Sequence, residues 1–267
     1  MRDPEQVLAA VRSASPSAVV HLAAVSSVAE SWQHSAEAWQ VNTVGTVNLV
    51  DALVTAAPEA RLLLVSTGEV YGRASELPTT ETAPVAPLSP YAASKAAAEI
   101  AVEQAARASG LDVVIARAFQ HEGPGRDDRF AIGSWTRQIA ELELRGGGEL
   151  RVGDLSAERD ITDVRDVIDA YEALLDPAVP AGTYNVASGK PVAMREVLDV
   201  LVSLARCPIE VDEDPSRFRT SEVSELSGDP SKLRAATGWT PTIPLEQTLA
   251  DTLDAARAAV AERMASA

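Results

Sequence analysis

Short apolar runs alternate along the chain with longer segments in which apolar residues recur every three or four positions. The runs are nearly all apolar, as strands covered on both faces must be, and they lie at 17–24, 61–67, 112–119 and 183–188. The helical spacing predicts helices at 4–14, 35–57, 91–109, 130–145, 163–176, 193–205 and 244–263. This alternation is typical of parallel βαβ units, so we expect an α/β fold built on a parallel sheet.

The pattern of predicted elements changes after residue 120, where the loops are longer and short strands alternate with helices. Glycines and charged residues at 125–129 and 146–148 mark turns in this part. We therefore expect two domains. The first contains residues 1–119 with a contribution from 163–188, and the second is a smaller lobe formed mainly by residues 120–267.

Composition narrows the possible functions. The 267 residues include 23 Lys and Arg against 39 Asp and Glu, which gives a net charge of −16. Such acidity argues against partners such as nucleic acid or an anionic membrane. The single Cys207 excludes a disulfide framework and a cysteine-based zinc site. We expect no metal site and no membrane-spanning segment, and we expect the protein to be cytoplasmic.

The segment from Ser89 to Lys95 opens the Ala-rich helix predicted at 91–109. Tyr91 and Lys95 are four residues apart, so they share one face of the helix and the ammonium can lie near the phenol oxygen. A fixed cation lowers the pKa of a phenol, which makes it a usable acid or base near neutral pH. The same spacing also fits a tyrosine packed at a helix start with a solvated lysine one turn on.

Polar residues follow two of the predicted strands. Thr67 and Glu69 lie at the carboxyl end of the strand at 61–67, where ligands bind in open α/β sheets. Thr67 could bond a substrate oxygen beside the carboxylate of Glu69, although turn residues at a strand end are the alternative. His21 is interpreted as a structural histidine. Asn42, on an otherwise apolar helix, either bridges that helix to the site or packs as a polar core residue.

Taken together, the chain resembles the extended short-chain dehydrogenase/reductase family of nucleotide-sugar enzymes, the NAD-dependent epimerases and dehydratases. The resemblance covers nearly the whole chain and rests on motifs in a fixed order: HLAA, VNTVGTVNLV, STGEVYG, SPYAASKAAAE, RAFQHEGPG, RDITDVRDV, YNVASG and TGWTP. Within the family, four stretches look most like reductases of GDP-4-dehydro-6-deoxy-D-mannose, with GDP-mannose 4,6-dehydratases as close relatives: SSVAESW, TRQIAELE, VGDLSAERDITDVRD and DPSRFRTSEV.

The resemblance implies a Rossmann-like, doubly wound parallel sheet with a smaller C-terminal α/β substrate lobe. It also implies reduction of the C4 ketone of a GDP-4-keto-6-deoxy sugar to GDP-rhamnose, with NADP or NAD as cofactor. In that reaction Tyr91 exchanges the proton, Lys95 tunes Tyr91 and holds the nicotinamide ribose, and Thr67 binds the C4 oxygen. The nicotinamide supplies the hydride.

Further contacts follow from the same resemblance. The residues expected to touch the cofactor, in addition to Tyr91 and Lys95, are Leu22, Ala23, Ala24 and His121. The residues expected to bind the GDP-sugar substrate are Gln120, Arg159, Arg219 and Glu222. The two arginines match family positions that face the diphosphate or the sugar, where guanidinium groups suit phosphate oxygens.

Three features depart from the family pattern. Gln120 replaces the usual Asn of a Phe-Asn-His turn, which puts its hydrogen bond to the substrate in doubt. Gly68 replaces the usual small hydroxyl residue and so removes one donor. The first glycine is Gly45, whereas the family begins with a strand and a Gly-rich turn that cradles the pyrophosphate. We expect on the order of 50 residues to precede Met1 in a longer reading frame.

This missing segment has two expected consequences. A protein built from these residues alone would bind its cofactor poorly, and its strand at 17–24 would be an exposed apolar edge. The residue that distinguishes NAD from NADP lies in the same segment, so the choice of cofactor stays open.

Several alternatives remain. In a 4,6-dehydratase, Glu69 would abstract the C5 proton, while the other residues of the site are shared. A 4-epimerase is a further relative, disfavoured by the reductase-like C-terminal lobe. A non-catalytic remnant that acts as an interaction subunit is the alternative of another class. The family usually dimerises through two helices, here those at 35–57 and 91–109, so we expect a homodimer, although Ala-rich faces also suit packing against the sheet.

Overall fold

The computed structural model describes residues 1–217 and 223–265, and the chain divides into two compact units. Unit 1 consists of Met1–Phe119, Ile168–Ala187 and Gly228–Trp239. Unit 2 consists of Gln120–Val167, Ser188–Ser227 and Thr240–Ala267. Helices and parallel strands alternate through the chain, so the predicted α/β fold is confirmed.

The elements are numbered in chain order. The helices are α1 Pro4–Ala14, α2 Val28–Gln33, α3 Ser35–Ala38, α4 Gly45–Ala56, α5 Pro90–Ser109, α6 Ala131–Arg145, α7 Val164–Leu174, α8 Met194–Ser203, α9 Ser231–Thr237 and α10 Leu245–Ala265. The strands are β1 Ala18–His21, β2 Arg61–Thr67, β3 Val113–Ala118, β4 Gln120–Glu122, β5 Gly148–Val152, β6 Glu158–Asp163, β7 Gly182–Val186, β8 Pro191–Ala193, β9 Ile209–Glu213 and β10 Glu225–Leu226. A π-helical turn at Trp39–Val44 joins α3 to α4, and 3₁₀ turns lie at Gly68–Tyr71 and Pro215–Arg217.

Unit 1 contains a four-stranded parallel sheet in the order β1-β2-β3-β7. All residues of β3 and nearly all of β2 are buried, which explains why both read as continuous apolar runs. Helices α1, α4 and α5 share one apolar core with β1, β2 and β3, and its fully buried side chains include Leu53, Leu62, Leu64 and Val102. The parallel register brings the carboxyl ends of the strands to one edge, the edge at which ligands bind in such sheets.

The segment Gly228–Trp239 belongs to unit 1, although the sequence pattern assigned it to the second lobe. Gly228 forms an isolated bridge with Thr79, and the Asp229 amide donates to the Thr79 carbonyl at 2.8 Å. Lys232 donates to the Thr183 carbonyl at 2.7 Å. These contacts are between polar groups far apart in the chain, so hydrophobic periodicity carries no signal for them. The assignment of cofactor and sugar to separate domains stays a prediction.

Unit 2 has a parallel path β10-β6-β4, with β8 antiparallel to β6, and a separate parallel pair β5-β9. Its apolar core joins α6, α8 and α10 to these strands, with Ile139, Leu198, Leu249 and Leu253 at its centre. Within residues 1–217 and 223–265, none of the helices has both the length and the apolar character needed to span a membrane.

Candidate active site

The start of α5 carries the tyrosine and lysine that the sequence singles out. Ser89 precedes the helix and its Oγ accepts a hydrogen bond from the Ala92 amide at 3.1 Å, while Pro90 occupies the first helical position. This N-terminus places Tyr91 in the first turn and Lys95 one turn later on the same face. Tyr91 is half-buried, whereas Lys95 is only 4% exposed.

Two serines hold the backbone of Tyr91. The Tyr91 amide donates to Ser31 Oγ at 3.1 Å, and Ser94 Oγ donates to the Tyr91 carbonyl at 2.7 Å. Ser31 is fully buried on α2, where its hydroxyl donates to the Val28 carbonyl at 2.7 Å. Neither serine stands out in the sequence, because the contact depends on how α2, which the sequence did not predict, packs against α5.

Lys95 is a cation in an environment that disfavours charge. Burial lowers its pKa to about 8, although the carboxylate of Glu99 acts in the opposite direction. His21 lies near enough for its own pKa to fall to about 4, mainly through burial and secondarily through the charge of Lys95. His21 Nε2 shares a hydrogen bond of 2.9 Å with Thr46 Oγ1. The histidine is therefore neutral and hydrogen-bonded in the core, which supports its structural interpretation.

Thr67 ends β2 in an extended conformation and caps the following 3₁₀ turn by accepting a hydrogen bond from the Glu69 amide at 3.2 Å. Thr67 is 7% exposed and Glu69 is half-buried. Within the described part of the chain, that is the only hydrogen bond of the Thr67 hydroxyl, so its proton is available to a ligand oxygen. The strand end thus offers one neutral donor and one carboxylate two residues apart.

The departure at Gly68 has a steric cause. A Cβ at this position would lie 2.8 Å from Cε1 of the Phe119 ring, and a Cβ at Gly228 would lie 2.3 Å from Cε2 of the same ring. Phe119 is 2% exposed and is stacked against Tyr71, with 6.3 Å between ring centroids. The volume that a side chain at position 68 would need is therefore occupied by an aromatic ring, and glycine is the residue that fits.

Asn42 links the segment after β1 to the helix that carries Tyr91. Its Oδ1 accepts from the Val25 amide at 2.8 Å, and its Nδ2 donates to the Val25 carbonyl at 3.0 Å and to Ser94 Oγ at 2.9 Å. The neighbouring Thr43 hydroxyl donates to the Ser94 carbonyl at 2.9 Å. Asn42 is 1% exposed and lies in the π-helical turn, so it is both a satisfied core residue and a bridge to α5.

Unit 1 has polar groups suited to the hydroxyls of a nicotinamide nucleotide. The Lys95 ammonium forms no hydrogen bond or ion pair with the part of the chain that is described. The Tyr171 hydroxyl is buried and has no partner among those residues either. Burial, and secondarily the phenol of Tyr91, raise the pKa of Tyr171. Donors left unpaired in this way fit a ligand rich in hydroxyl and carbonyl oxygens.

The predicted cofactor contacts of unit 1 follow β1 directly. Leu22 and Ala23 are exposed, with Leu22 at 63%, and Ala24 is half-buried. The small side chains at this strand end leave the backbone open to a flat ligand. Their role stays a prediction.

The predicted residues around β4 belong to unit 2. Gln120 is half-buried, and its Nε2 donates to Glu122 Oε1 at 3.1 Å. Glu122 is 1% exposed, and burial raises its pKa to about 7 against the opposing effects of Arg126 and Gln120. His121 is half-buried and lies opposite Thr162 in the β4-β6 pairing. The side-chain amide of Gln120 is thus already used by a neighbouring carboxyl group.

The predicted substrate residue Arg159 lies on β6 and is 8% exposed. Its Nη1 donates to the Glu158 carbonyl at 2.8 Å and to the Ser224 carbonyl at 3.4 Å. Arg219 and Glu222, the other two predicted substrate residues of this part, lie outside the described residues.

Sequence and structure comparisons agree on the relatives of this chain. Over 237 residues it is 39% identical to the GDP-6-deoxy-D-mannose reductase of Pseudomonas aeruginosa, which covers 88% of this chain and 78% of that protein. It also superposes on the structure of RMD from Pseudomonas aeruginosa complexed with NADPH, with a TM-score of 0.90 and 36% identity over 97% of this chain and 86% of that one.

A third relative carries the other nicotinamide cofactor. The Thermus thermophilus UDP-glucose 4-epimerase in complex with NAD has a TM-score of 0.85 and 33% identity, over 97% of this chain and 83% of that one. These likenesses confirm the Rossmann-like fold and the resemblance to the extended short-chain dehydrogenases/reductases. The family model of GDP-mannose 4,6 dehydratase matches residues 1–252. A match of that length shows that the chain belongs to the GDP-mannose 4,6 dehydratase family.

Proposed function

We propose that this chain reduces the C4 ketone of GDP-4-dehydro-6-deoxy-D-mannose to GDP-rhamnose, using NADPH or NADH. The observation that carries the proposal is the placement of Tyr91 and a buried Lys95 one turn apart at the start of α5. Hydrogen bonds with Ser31 and Ser94 fix the Tyr91 backbone there. The reaction and substrate are taken from the Pseudomonas aeruginosa reductase, which is 39% identical.

The roles of the residues follow from their chemistry. When bound, the reduced nicotinamide supplies the hydride to C4. Tyr91 gives its proton to the alkoxide oxygen, so one hydride and one proton together convert the ketone to an alcohol. Lys95 stabilises the phenolate that remains, because its ammonium lies on the same helix face in a poorly solvated environment. Thr67 donates to the C4 oxygen as negative charge develops there.

Binding roles are assigned in two groups. The proposed contacts of the cofactor are Leu22, Ala23, Ala24, Tyr91, Lys95 and His121. The proposed contacts of the GDP-sugar are Gln120, Arg159, Arg219 and Glu222. The buried guanidinium of Arg159 supports its assignment to the diphosphate, because a guanidinium fits two phosphate oxygens at once.

The second candidate function is the 4,6-dehydration of GDP-mannose. Glu69 favours it, because a half-buried carboxylate two residues from Thr67 can accept the proton on C5. The two reactions differ in cofactor balance. The reductase consumes one reduced nicotinamide for each product, whereas the dehydratase regenerates its cofactor in every turnover.

The test supplies the chain first with GDP-4-dehydro-6-deoxy-D-mannose and NADPH or NADH, and then with GDP-mannose and oxidised cofactor. Oxidation of reduced nicotinamide in step with GDP-rhamnose formation supports the reductase. Conversion of GDP-mannose to the 4-keto sugar without net reduction supports the dehydratase. A protein that folds and self-associates but turns over neither substrate would support the non-catalytic alternative. Tyr91→Phe is the inactive control, with an expected loss of about 100-fold or more in kcat.

We further propose a cytoplasmic homodimer that forms through α4, α5 and the preceding π-helical turn. These elements carry exposed apolar side chains, Trp39 at 41%, Val47 and Val54 at 37% each and Ile100 at 66%. Val47 and Val54 are seven residues apart, so they share one face of α4. A second copy of the same surface is the occupant that would bury these groups from water.

A further inference from the structure

Directly behind Lys95, unit 1 contains a buried ion pair that the proposed reaction does not use. Glu99 and Arg117 are 3% and 6% exposed. Arg117 Nη2 donates to Glu99 Oε2 at 2.7 Å, and Arg117 Nε lies 3.1 Å and 3.2 Å from the two carboxylate oxygens. Ser66 Oγ donates to Glu99 Oε1. The carboxylate thus has its donors on two strands and is held in one orientation.

The topology connects this pair to the proposed site. Glu99 follows Lys95 by four residues on α5, so the two side chains lie on one face of the helix. Ser66 precedes Thr67 on β2 and lies opposite Arg117 of β3 in the parallel register. The acidic side chain therefore contacts the strand of the proposed C4-oxygen donor and lies one helical turn from the proposed partner of Tyr91.

We propose that Glu99 is a positioning residue, whose fixed carboxylate keeps the Lys95 ammonium charged next to Tyr91. This inference deepens the proposed function and rests on it. A buried ammonium tends to lose its proton, and a neutral Lys95 could no longer stabilise the Tyr91 phenolate. The carboxylate acts through space, because no ion pair joins Glu99 to Lys95 in the described part of the chain.

None of the other charged and titratable groups near this cluster replaces Glu99. The carboxylate of Glu81 acts on Tyr71, whereas Glu99 acts on Lys95. Of the groups around Lys95, His21 is neutral, with a pKa near 4, so it carries no compensating charge. Arg117 is itself a cation, and its guanidinium lies 4.7 Å from the centre of the Tyr71 ring. Tyr71, whose pKa is raised by burial, donates to Asn185 Oδ1 at 2.7 Å and is neutral as well. Glu99 is the carboxylate that opposes the effect of burial on Lys95.

A purely structural role is the competing explanation. The Glu99–Arg117 ion pair also joins α5 to β3, and breaking a buried ion pair lowers the stability of a fold. Loss of activity in a Glu99 variant would therefore fit both explanations. The measurement that separates them is the pKa of Lys95 itself.

The sequence makes this measurement simple, because Lys95, Lys190 and Lys232 are its only lysines. The protein is labelled with isotope-enriched lysine, the three side-chain signals are assigned with single Lys→Arg variants, and each is titrated by NMR without substrate or cofactor. We expect Glu99→Gln to lower the pKa of Lys95 by about one pH unit and to leave Lys190 and Lys232 unchanged.

The matched control is Glu103→Gln, one turn further along α5. Glu103 pairs with Arg107 at 3.4 Å on the surface, so its loss removes a carboxylate from the same helix without touching the cluster. Glu99→Asp keeps the negative charge, so the pKa of Lys95 in this variant is expected to lie close to its wild-type value. If Glu99→Gln does not fold, the double variant Glu99→Gln, Arg117→Met leaves no unpaired buried charge. It is expected to lower the pKa of Lys95 by less than about one pH unit, because a cation is removed together with the carboxylate.

Activity supplies the second readout. Removal of a negative charge makes the first proton loss from the Lys95–Tyr91 pair easier, so the alkaline limb of kcat/KM is expected to move to lower pH in Glu99→Gln. A folded Glu99→Gln protein with an unchanged Lys95 titration overturns the inference, whatever its activity. If Glu99→Gln shifts the Lys95 titration but the wild-type protein reduces no GDP-sugar, the coupling between Glu99 and Lys95 is supported and the proposed function is refuted.

Discussion

Lys95 shows how burial changes the charge that a single side chain carries near neutral pH. Its ammonium has little contact with water, and its pKa of about 8 lies close to neutral pH. A lysine on the protein surface would keep its charge well beyond pH 9. The charge on Lys95 therefore depends on the few charged groups around it, of which Glu99 opposes the effect of burial.

The contact between Gly68 and Phe119 predicts a coupled pair of substitutions. Gly68→Ala is expected to destabilise the protein by about 1–3 kcal/mol, because the new methyl group would overlap the ring. Phe119→Leu in the same chain should recover part of that loss by making room. Urea unfolding of the two single variants and the double variant measures the coupling. Strict additivity of the three values would contradict the steric explanation.

His21 predicts a pH dependence of stability. Its pKa is near 4 in the fold and 6.5 in a free histidine, so between these values the unfolded chain binds the extra proton. The free energy of unfolding contributed by His21 is therefore complete above pH 6.5 and is lost as the pH falls towards 4. The loss is up to about 3 kcal/mol.

The measurement compares wild type with His21→Gln, whose side-chain amide can keep the bond to Thr46. Between pH 7 and pH 5, the free energy of unfolding measured with denaturant should fall less in the variant than in wild type. Glu122, with its raised pKa of about 7, acts in the opposite direction over the same range, so the difference between the two proteins is the quantity to use. An equal fall in the free energy of unfolding of wild type and His21→Gln would refute the assignment to His21.

At the level of elements, the main helices and the four strands of the unit 1 sheet were predictable, because each has a strong local signal. The helix at 4–14 is confirmed, with Asp3 accepting from the Gln6 amide at 3.1 Å and Pro4 in the first turn. The strand β3 is confirmed by its fully buried run. The helix predicted at 35–57 is instead divided by a π-helical turn, since Asn42 and Thr43 make tertiary hydrogen bonds there.

The candidate site was predictable in part. Tyr91, Lys95, Thr67 and Asn42 belong to recognisable motifs, whereas the Glu99 cluster depends on the register of two strands and one helix face. Sequence spacing shows which residues can share an element. It does not show which strand lies opposite, so the partners on β2 and β3 became visible only in the fold.

Because Asn42 bridges the segment after β1 to α5, we expect its substitution to reduce both stability and activity. Asn42→Ala leaves the Val25 amide and carbonyl without their partner in a buried place, which costs about 1–3 kcal/mol. We also expect a lower kcat with little change in KM, because Ser94 and hence Tyr91 lose support. Asn48→Ala is the matched control, since Asn48 lies on α4 and donates to the Met1 carbonyl at 2.8 Å. Equal effects of the two substitutions on kcat would contradict the bridging role.

On the scale of the whole molecule, the charge of the chain and that of the proposed substrate have the same sign. A protein with a net charge of −16 repels a nucleoside diphosphate sugar at long range. Substrate binding as proposed would therefore depend on local cations, for which Arg159 and Arg219 are the proposed residues. Higher ionic strength should weaken the long-range repulsion.

The proposed dimer surface predicts a change in size. Ile100→Glu places a charge on an apolar side chain that is 66% exposed, and it is expected to convert the dimer to a monomer. Leu144→Glu is the matched control, because Leu144 is 60% exposed on α6 of unit 2 and lies outside the proposed surface. Light scattering after size-exclusion chromatography gives the mass. A monomeric wild type, or a dimer that tolerates Ile100→Glu, would refute the proposed surface.

The order in which the chain is synthesised conflicts with the order in which unit 1 is completed. Its sheet takes its fourth strand from Gly182–Val186, and its last segment ends at Trp239. A chain leaving the ribosome therefore carries β3 with a bare edge while Gln120–Val167 of unit 2 is being made. Contacts between distant segments form slowly, and an unpaired strand edge is open to pairing with other chains. This protein is thus open to strand pairing with other chains during its own synthesis, until β7 has emerged and covered the edge of β3.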